Sequence, residues 1–372
     1  MAVVLSEYLK GRDNNFNLIR FIGAVTVIFT HSYALTGKTA QEPVFALTGF
    51  LTGEISLDIF IITSGFLVTS SLYARKDLVM FAWARMLRIY PALIAAMIFC
   101  AIPLGLLFTN LPARGYLSDW SVYHFILNNG TLITGPLQYF LPGGVFADAP
   151  FLSVVNGSIW TLLWELRLYA FLMVLALIAW RTNWMDSKRL ETYLVALGVI
   201  LTVIHIANRI HPFYQGGGTT STIRFGSLFF IGASFYVLRN RIIISHRTFF
   251  AVMAVLVLFA GRTTLYFVLM KLLLCYVVFY LAYVPAGWIR MYNKLGDYSY
   301  GTYLYAFPVQ QALAVKFPGI GIAPMFFASL AITLVLAILS WHLLEKQMLK
   351  KKEGHVHLRN VLSRLRLVAS PE

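Results

Sequence analysis

The sequence predicts an all-α polytopic membrane protein with about ten transmembrane helices and with both termini in the cytoplasm. Of its 372 residues, 59% are hydrophobic and only 12% are charged, and the mean hydropathy is +0.73. A soluble domain is usually about 45–50% apolar and about 25% charged. This composition therefore excludes a soluble enzyme, a disordered chain and a coiled coil.

Apolar segments long enough to cross a bilayer recur along the whole chain. The predicted spans are 16–36, 54–73, 90–108, 158–180, 190–207, 221–238, 248–260, 264–284, 298–315 and 324–344. The seventh span is short and meets the eighth at Gly261, so the sequence leaves the helix boundaries between 248 and 284 open. We expect one transmembrane domain over residues 1–345, followed by a basic cytoplasmic tail over 346–372.

The basic residues predict the orientation. The net charge is +15, and with a cytoplasmic N-terminus the inner segments hold about four times as many Lys and Arg as the outer ones, as the positive-inside rule requires. The surplus charge then reflects topology and contact with the lipid bilayer, and we expect no nucleic-acid partner. The long outer connection, 109–157, is predicted to be either a lid or an aromatic belt.

Ionisable side chains inside a bilayer are costly and are therefore candidates for function. Helical rise places an outer group some way below the external surface and a smaller inner group near the cytoplasm. The outer group is His31, Asp58, Glu165, Arg167, Arg224 and Lys271, and the inner group is Arg20, Arg85 and Arg88.

Within the first span, Arg20 and His31 lie on one helix face, since eleven residues make almost three full turns. His31 is either a packed histidine or a general base, and Asp58 at a similar depth is expected to orient its ring. Arg85 and Arg88 are one turn apart, a spacing that suits a phosphate group as well as the positive-inside bias.

Four blocks of sequence, in order, resemble the membrane acyltransferase-3 family. They are NNFNLIRFIGA at 14–24 followed by His31, LDIFIITSGFL at 57–67, RMLRIYP at 85–91 and SIWTLLWELRLY at 158–169. Weaker similarities follow at 296–305 and at Glu345. One departure is Asn17, where the family commonly has Asp, so Arg20 is expected to have a neutral partner or another acid.

The resemblance implies an integral-membrane O-acyltransferase that moves an acyl group from cytoplasmic acyl-CoA to the hydroxyl of an extracytoplasmic glycan. It implies His31 as the catalytic histidine, Glu165 as an essential acid, and Arg20, Arg85 and Arg88 as residues that bind the donor. We also expect Asp58 to act in catalysis and Tyr169 or Ser64 to stabilise the oxyanion. The alternative is a secondary transporter or a flippase of lipid-linked sugars.

The cations of the outer group suggest which acyl group is moved. Glu165 is predicted to pair with Lys271, and Asp58 with Arg224, which leaves one cation for a substrate anion. We therefore expect acetyl-CoA or succinyl-CoA as donor, no permanently bound cofactor and no metal. The acceptor is expected to be an exopolysaccharide or a lipid-linked oligosaccharide at a bacterial inner membrane. The predicted substrate-binding residues are Arg224, Arg167, Lys271, Trp160 and Tyr169.

Overall fold

The computed structural model describes residues 2–9, 11, 13–75, 77–133, 135–183 and 188–354. Helices account for most of these residues, so the prediction of an all-α protein is confirmed. Two short strands, β1 (Ala2–Val4) and β2 (Ile243–Ser245), pair antiparallel with Val3 opposite Ile244.

Each of the predicted spans forms a helix. The long helices are α1 (Phe16–Leu35), α2 (Thr52–Arg75), α3 (Leu78–Phe99), α4 (Trp160–Arg181), α5 (Lys188–Ile210), α6 (Gly217–Val237), α7 (His246–Leu258), α8 (Thr263–Tyr283), α9 (Ser299–Lys316) and α10 (Ile322–Ser340). The short helices and helical turns are Leu5–Tyr8, Thr39–Gln41, Pro43–Thr48, Cys100–Leu104, Gly105–Phe108, Ala113–Ser118, Trp120–Thr131, Gly287–Met291, Tyr292–Leu295, Trp341–Glu345, Lys346–Lys350 and Lys351–Gly354.

Seven helices within the described ranges are long and apolar enough to cross a membrane: α1, α2, α3, α4, α5, α8 and α10. The chain is therefore a multi-pass membrane protein, although three of the ten predicted spans do not meet this measure. Helix α7 has 13 residues, about 20 Å of rise against a hydrocarbon core of about 30 Å. Helices α6 and α9 carry polar residues that lower their hydropathy.

The largest boundary difference is at α3, which begins at Leu78 rather than near residue 90. Asp77 caps this helix, because its side chain accepts a hydrogen bond from the Met80 backbone N–H at 2.9 Å. The sequence signal was weak here because charged residues lower the hydropathy of the first turns. As a consequence, Arg85 and Arg88 lie inside a helix and not before it.

The chain divides into two compact units. The first comprises Met1–Thr30, Lys38–Ser71 and Trp164–Ser299, and the second comprises His31–Gly37, Leu72–Leu163 and Tyr300–Glu372. Of the predicted cytoplasmic tail, residues 355–372 lie outside the described residues. The division into a domain and a tail stays a prediction.

In the first unit, α2 and α6 cross with their backbones in contact. A Cβ atom added to Gly65 would lie 2.0 Å from the Phe229 carbonyl oxygen, and one added to Gly232 would lie 2.2 Å from that of Ile62. Only glycine permits so close an approach. The crossing places the polar residues of α2 beside those of α6.

In the second unit, the outer connection folds against the end of α3. Tyr116 is fully buried, and its hydroxyl donates to the Ala101 carbonyl at 2.6 Å. The Asn129 side chain donates to the Gln138 carbonyl at 2.7 Å and accepts from the Gln138 backbone N–H at 2.9 Å. These bonds give the connection a defined structure, while its role as a lid stays a prediction.

Candidate active site

His31 lies near the C-terminal end of α1, in the second unit. Its ring meets Phe307 of α9 edge-on, with ring centroids 5.3 Å apart, and it hydrogen-bonds to the side chain of Gln310. The Nε2 group of Gln310 also donates to Ser32 Oγ at 3.1 Å. The His31 Nδ1 atom is buried and has no hydrogen-bond partner among the described residues. The imidazole is thus held in place with one ring nitrogen still able to exchange a proton.

Gln310 was not predicted from the sequence to be a residue of the site. The signal was the adjacent pair Gln310 and Gln311 in an apolar helix, where an amide side chain must find a partner. Gln311 donates to the backbone carbonyls of Phe151 and Val154, each at 2.8 Å, and so anchors the connection before α4. Both amides are fully buried.

Glu165 lies on α4 and forms a compact group of oxygen atoms with two hydroxyls. Its Oε1 accepts a hydrogen bond from Ser64 Oγ of α2 at 2.7 Å and another from the Tyr169 hydroxyl one helical turn away. The two hydroxyl oxygens are 2.5 Å apart. The predicted ion pair between Glu165 and Lys271 is therefore wrong, because these hydroxyls occupy the carboxylate and Lys271 has another partner.

Asp58 is the centre of a buried ion cluster in the first unit. Its Oδ1 accepts from Arg224 Nε at 2.9 Å and lies 2.8 Å from Arg224 Nη2. Its Oδ2 lies 2.5 Å from Lys271 Nζ. The predicted pair of Asp58 with Arg224 is confirmed, and Lys271 joins it. Glu54 lies 3.8 Å from Arg224, so the two cations of this cluster are matched by two carboxylates.

A second histidine, His205 of α5, borders this cluster and was also missed from the sequence. It is 7% exposed, and it is close enough to interact electrostatically with Lys271, Asp58 and Arg224. Its ring meets Phe267 edge-on at 5.1 Å. A histidine near the end of the predicted span 190–207 was the available signal.

Arg20, in the first unit, forms an ion pair with a carboxylate that is distant in the sequence. Its Nη1 atom lies 3.8 Å from Asp297 Oδ2, which confirms the expectation of another acid in place of the one missing at position 17. Asp297 also accepts from the Ser299 backbone N–H at 3.2 Å, at the start of α9. The Arg20 Nε atom is buried without a hydrogen-bond partner among the described residues.

The two arginines of α3 are partly buried in the second unit. Arg88 Nη1 lies 3.4 Å from Glu345 Oε2, and its guanidinium group lies 5.5 Å from the centre of the Tyr300 ring. Glu345 is 2% exposed and accepts a further hydrogen bond from Ser340 at 3.0 Å. A phosphate bound by Arg88 would have to compete with this carboxylate.

Trp160 and Arg167 complete the predicted set. Trp160 is the first residue of α4 and is partly buried, whereas Arg167 is exposed. Arg167 and Glu165 share a membrane depth but not a helix face: residues two positions apart on a helix are about 200° apart, so the two side chains leave opposite faces. The cation expected to remain after ion pairing is thus Arg167, and it lies outside the core.

Neither cysteine belongs to a site of this kind. Cys100 and Cys275 are free and buried. Among the described residues, no group of three His, Cys, Asp or Glu side chains is arranged to hold a metal ion.

The fold and these polar groups define a multi-pass membrane protein with a buried histidine and several buried carboxylates. The chain belongs to the acyltransferase-3 family: the family model, described as an acyltransferase domain, matches residues 13–342. This match confirms the resemblance seen in the sequence blocks, and it supports an acyltransferase over the transporter alternative.

Two curated relatives are similar to the chain. The O-acetyl transferase of Shigella phage Sf6 is 26% identical over 360 residues, which cover 93% of this chain and 99% of the relative. Nodulation protein 10 of Rhizobium leguminosarum bv. viciae is 29% identical over 221 residues, which cover 56% of each protein. No solved structure matches the chain significantly.

Proposed function

We propose that this acyltransferase moves an acyl group from cytoplasmic acyl-CoA to a hydroxyl of an extracytoplasmic or lipid-linked glycan, with His31 as the general base. The observation that carries the proposal is the buried His31 Nδ1 atom, which has no hydrogen-bond partner among the described residues. A base must be neutral and oriented, and its open nitrogen must carry the lone pair. The contacts of His31 with Gln310 and Phe307 provide the orientation, and a Gln310 amide oxygen that accepts the Nε2 proton would leave the lone pair on Nδ1.

The transfer is direct in this proposal. His31 takes the proton of the acceptor hydroxyl while that oxygen attacks the thioester carbonyl carbon. The tetrahedral intermediate then breaks its C–S bond, and the departing CoA sulfur takes the proton from the imidazolium. The ester and free CoA are the products, and His31 returns to its neutral form.

The donor site is proposed at Arg85 and Arg88, and Arg20 is proposed as a further residue that binds the donor. Guanidinium groups bind phosphate oxygens bidentately, which suits the phosphates of CoA. The ion pair of Arg88 with Glu345 supports a site in which a carboxylate compensates the charge of Arg88 until a phosphate takes its place. Exchange of Glu345 for a phosphate would then be part of donor binding.

Glu165 is proposed to hold Ser64 and Tyr169 rather than to exchange protons with substrate. Both hydroxyls hydrogen-bond to Glu165 Oε1, and the two hydroxyl oxygens also hydrogen-bond to each other. These contacts engage the hydroxyls with the carboxylate and with one another. That Ser64 or Tyr169 stabilises the oxyanion stays a prediction.

Acetyl is the acyl group that the comparisons favour, since one relative is named an O-acetyl transferase. The reason to expect succinyl was a cation left over in the core. Arg224 and Lys271 are instead matched by Asp58 and Glu54, so neither is available for a free carboxylate. We accordingly propose acetyl-CoA as the donor, a glycan such as an exopolysaccharide as the acceptor, and the bacterial inner membrane as the location.

Purified protein supplied with acetyl-CoA, in parallel with succinyl-CoA, tests this function through CoA release and acyl transfer to a glycan acceptor. We expect His31→Ala to lower transfer by about 10²–10⁴-fold, the usual value of general-base catalysis, with no change in thermal stability. His124, an exposed histidine of the same unit, provides the control variant His124→Gln, which should keep full activity. Transfer by His31→Ala at more than about a tenth of the normal rate would contradict the assignment.

A further inference from the structure

One face of α4 is exposed along most of its length. Phe171, Val174 and Ile178 are 45%, 50% and 49% exposed, and all three lie within about 40° of Arg167 around the helix axis. The opposite face carries Glu165, Tyr169, Leu172 and Ala176, of which the last two have no exposed surface. In a helix of this hydropathy, an exposed apolar stripe is a lipid-facing surface.

Arg167 is the cation at the N-terminal end of this stripe. Its guanidinium group lies 4.6 Å from the centre of the Trp164 ring, one turn closer to the start of the helix. Among the described residues, Arg167 makes this cation–π contact and forms no ion pair. Arg and Trp are the side chains that place a polar group at the membrane interface above an apolar stem.

A similar arrangement closes the other end of the stripe. Arg181 lies in the last turn of α4 and its guanidinium group is 5.8 Å from the Trp180 ring centre. The two arginines are about 14 residues apart, or about 21 Å along the axis, compared with about 30 Å for an ordinary hydrocarbon core. On this face the bilayer must become thinner, or lipid headgroups must reach down to the arginines.

We propose that Arg167 and Trp164 form a binding site for the phosphate group of a membrane lipid, in the leaflet at the N-terminal end of α4. The guanidinium fork would bind the phosphate oxygens while the indole ring keeps the fork oriented. The acyl chain of the lipid would lie along Phe171, Val174 and Ile178. A phosphate that carries an acyl chain gains these apolar contacts, whereas inorganic phosphate does not.

This site does not depend on the acyl-transfer function, because it lies on the face of α4 opposite Glu165. Lipid binding is measured on purified protein without acyl donor or acceptor. Failure of the lipid site and failure of the proposed transferase activity are therefore separate results.

Native mass spectrometry of the purified full chain, titrated with phosphatidylglycerol, tests the proposal. We expect Arg167→Gln to weaken binding by about tenfold, as loss of a charged hydrogen-bonding group should. Arg167→Lys should bind the lipid with an affinity between those of Arg167→Gln and the unmodified protein. Trp164→Leu should weaken binding less than Arg167→Gln does. The control Arg114→Gln removes the same charge from an exposed position of the outer connection and should bind as the unmodified protein does.

Two further titrations separate the possible sources of affinity. Diacylglycerol, which lacks the phosphate, should bind equally to Arg167→Gln and to the unmodified protein. Inorganic phosphate should not displace phosphatidylglycerol at equal concentration. Equal lipid affinity in Arg167→Gln, displacement by inorganic phosphate, or a change of oligomeric state in that variant would each overturn the proposal.

Discussion

At the scale of single residues, the two carboxylates Asp58 and Glu165 of the membrane-spanning helices each have more than one partner. Asp58 receives both Arg224 and Lys271, while Glu165 is satisfied by two hydroxyls and needs no cation. A carboxylate that serves two cations is essential to both, because removal of one partner leaves an uncompensated buried charge. The cluster is consequently expected to stabilise the fold.

Asp58→Asn should destabilise the protein by about 3–5 kcal/mol, since two cations would then share a neutral amide. Thermal unfolding in detergent measures this as a lower Tm. The double variant Asp58→Asn/Lys271→Met removes one of the stranded cations and should recover part of the loss. Glu54→Gln is the matched control, because Glu54 is 41% exposed and 3.8 Å from Arg224, and it should change Tm little. An unchanged Tm with lost activity in Asp58→Asn would instead indicate a catalytic carboxylate.

Glu345→Gln should tighten CoA binding severalfold, because it removes the carboxylate that competes with phosphate for Arg88. Isothermal titration with CoA measures the dissociation constant directly. Ser340→Ala deletes a hydrogen bond to Glu345 without changing any charge, so it should leave CoA affinity unaltered. If Glu345→Gln binds CoA as before or more weakly, the pair of Arg88 with Glu345 is structural and the donor phosphates lie elsewhere.

At the scale of helices, the crossing of α2 with α6 holds the charged cluster and the Glu165 group in register. Asp58 and Ser64 both lie on α2, and Arg224 lies on α6. The crossing depends on the glycines at its closest points, where there is no room for a side-chain carbon. Small residues at a contact are the usual means by which membrane helices approach this closely.

Gly65→Ala and Gly232→Ala should each lower Tm and activity together, because backbone atoms of α2 and α6 must move apart. Gly218→Ala, also in α6, has no atom within 4 Å of the added carbon and should change stability by less than about 1 kcal/mol. Thermal unfolding and CoA release on the same samples separate the two classes. A Gly65→Ala protein with unchanged Tm would show that the helices can separate at no cost.

The helices and the candidate polar residues could be predicted from the sequence. The face of the helix on which each residue lies could not. Arg167 illustrates the reason. In a soluble helix polar residues mark the exposed side, whereas in a membrane the lipid-facing residues are as apolar as the buried ones, so no periodicity distinguishes Phe171 from Leu172. The partner of Lys271 could not be predicted for the same reason, since it depends on which helix faces meet.

At the scale of the whole molecule, the proposed reaction requires that the donor residues and the acceptor lie toward opposite sides of the membrane. The orientation rests on the distribution of Lys and Arg, which places the connection 109–157 outside and the turn after α4 inside. Ser118 in the outer connection and Thr182 just after α4 are both exposed. These two positions are therefore expected to lie on opposite sides of the bilayer.

Single cysteines at these positions test the orientation, and the protein is a suitable background because both native cysteines are buried. A membrane-impermeant maleimide applied to intact spheroplasts should label Ser118→Cys and not Thr182→Cys. Lysis should then expose Thr182→Cys to the same reagent, which controls for its reactivity. The opposite pattern would turn Arg85 and Arg88 toward the outside, where cytoplasmic acyl-CoA cannot reach them, and the proposed direction of transfer would fail with it.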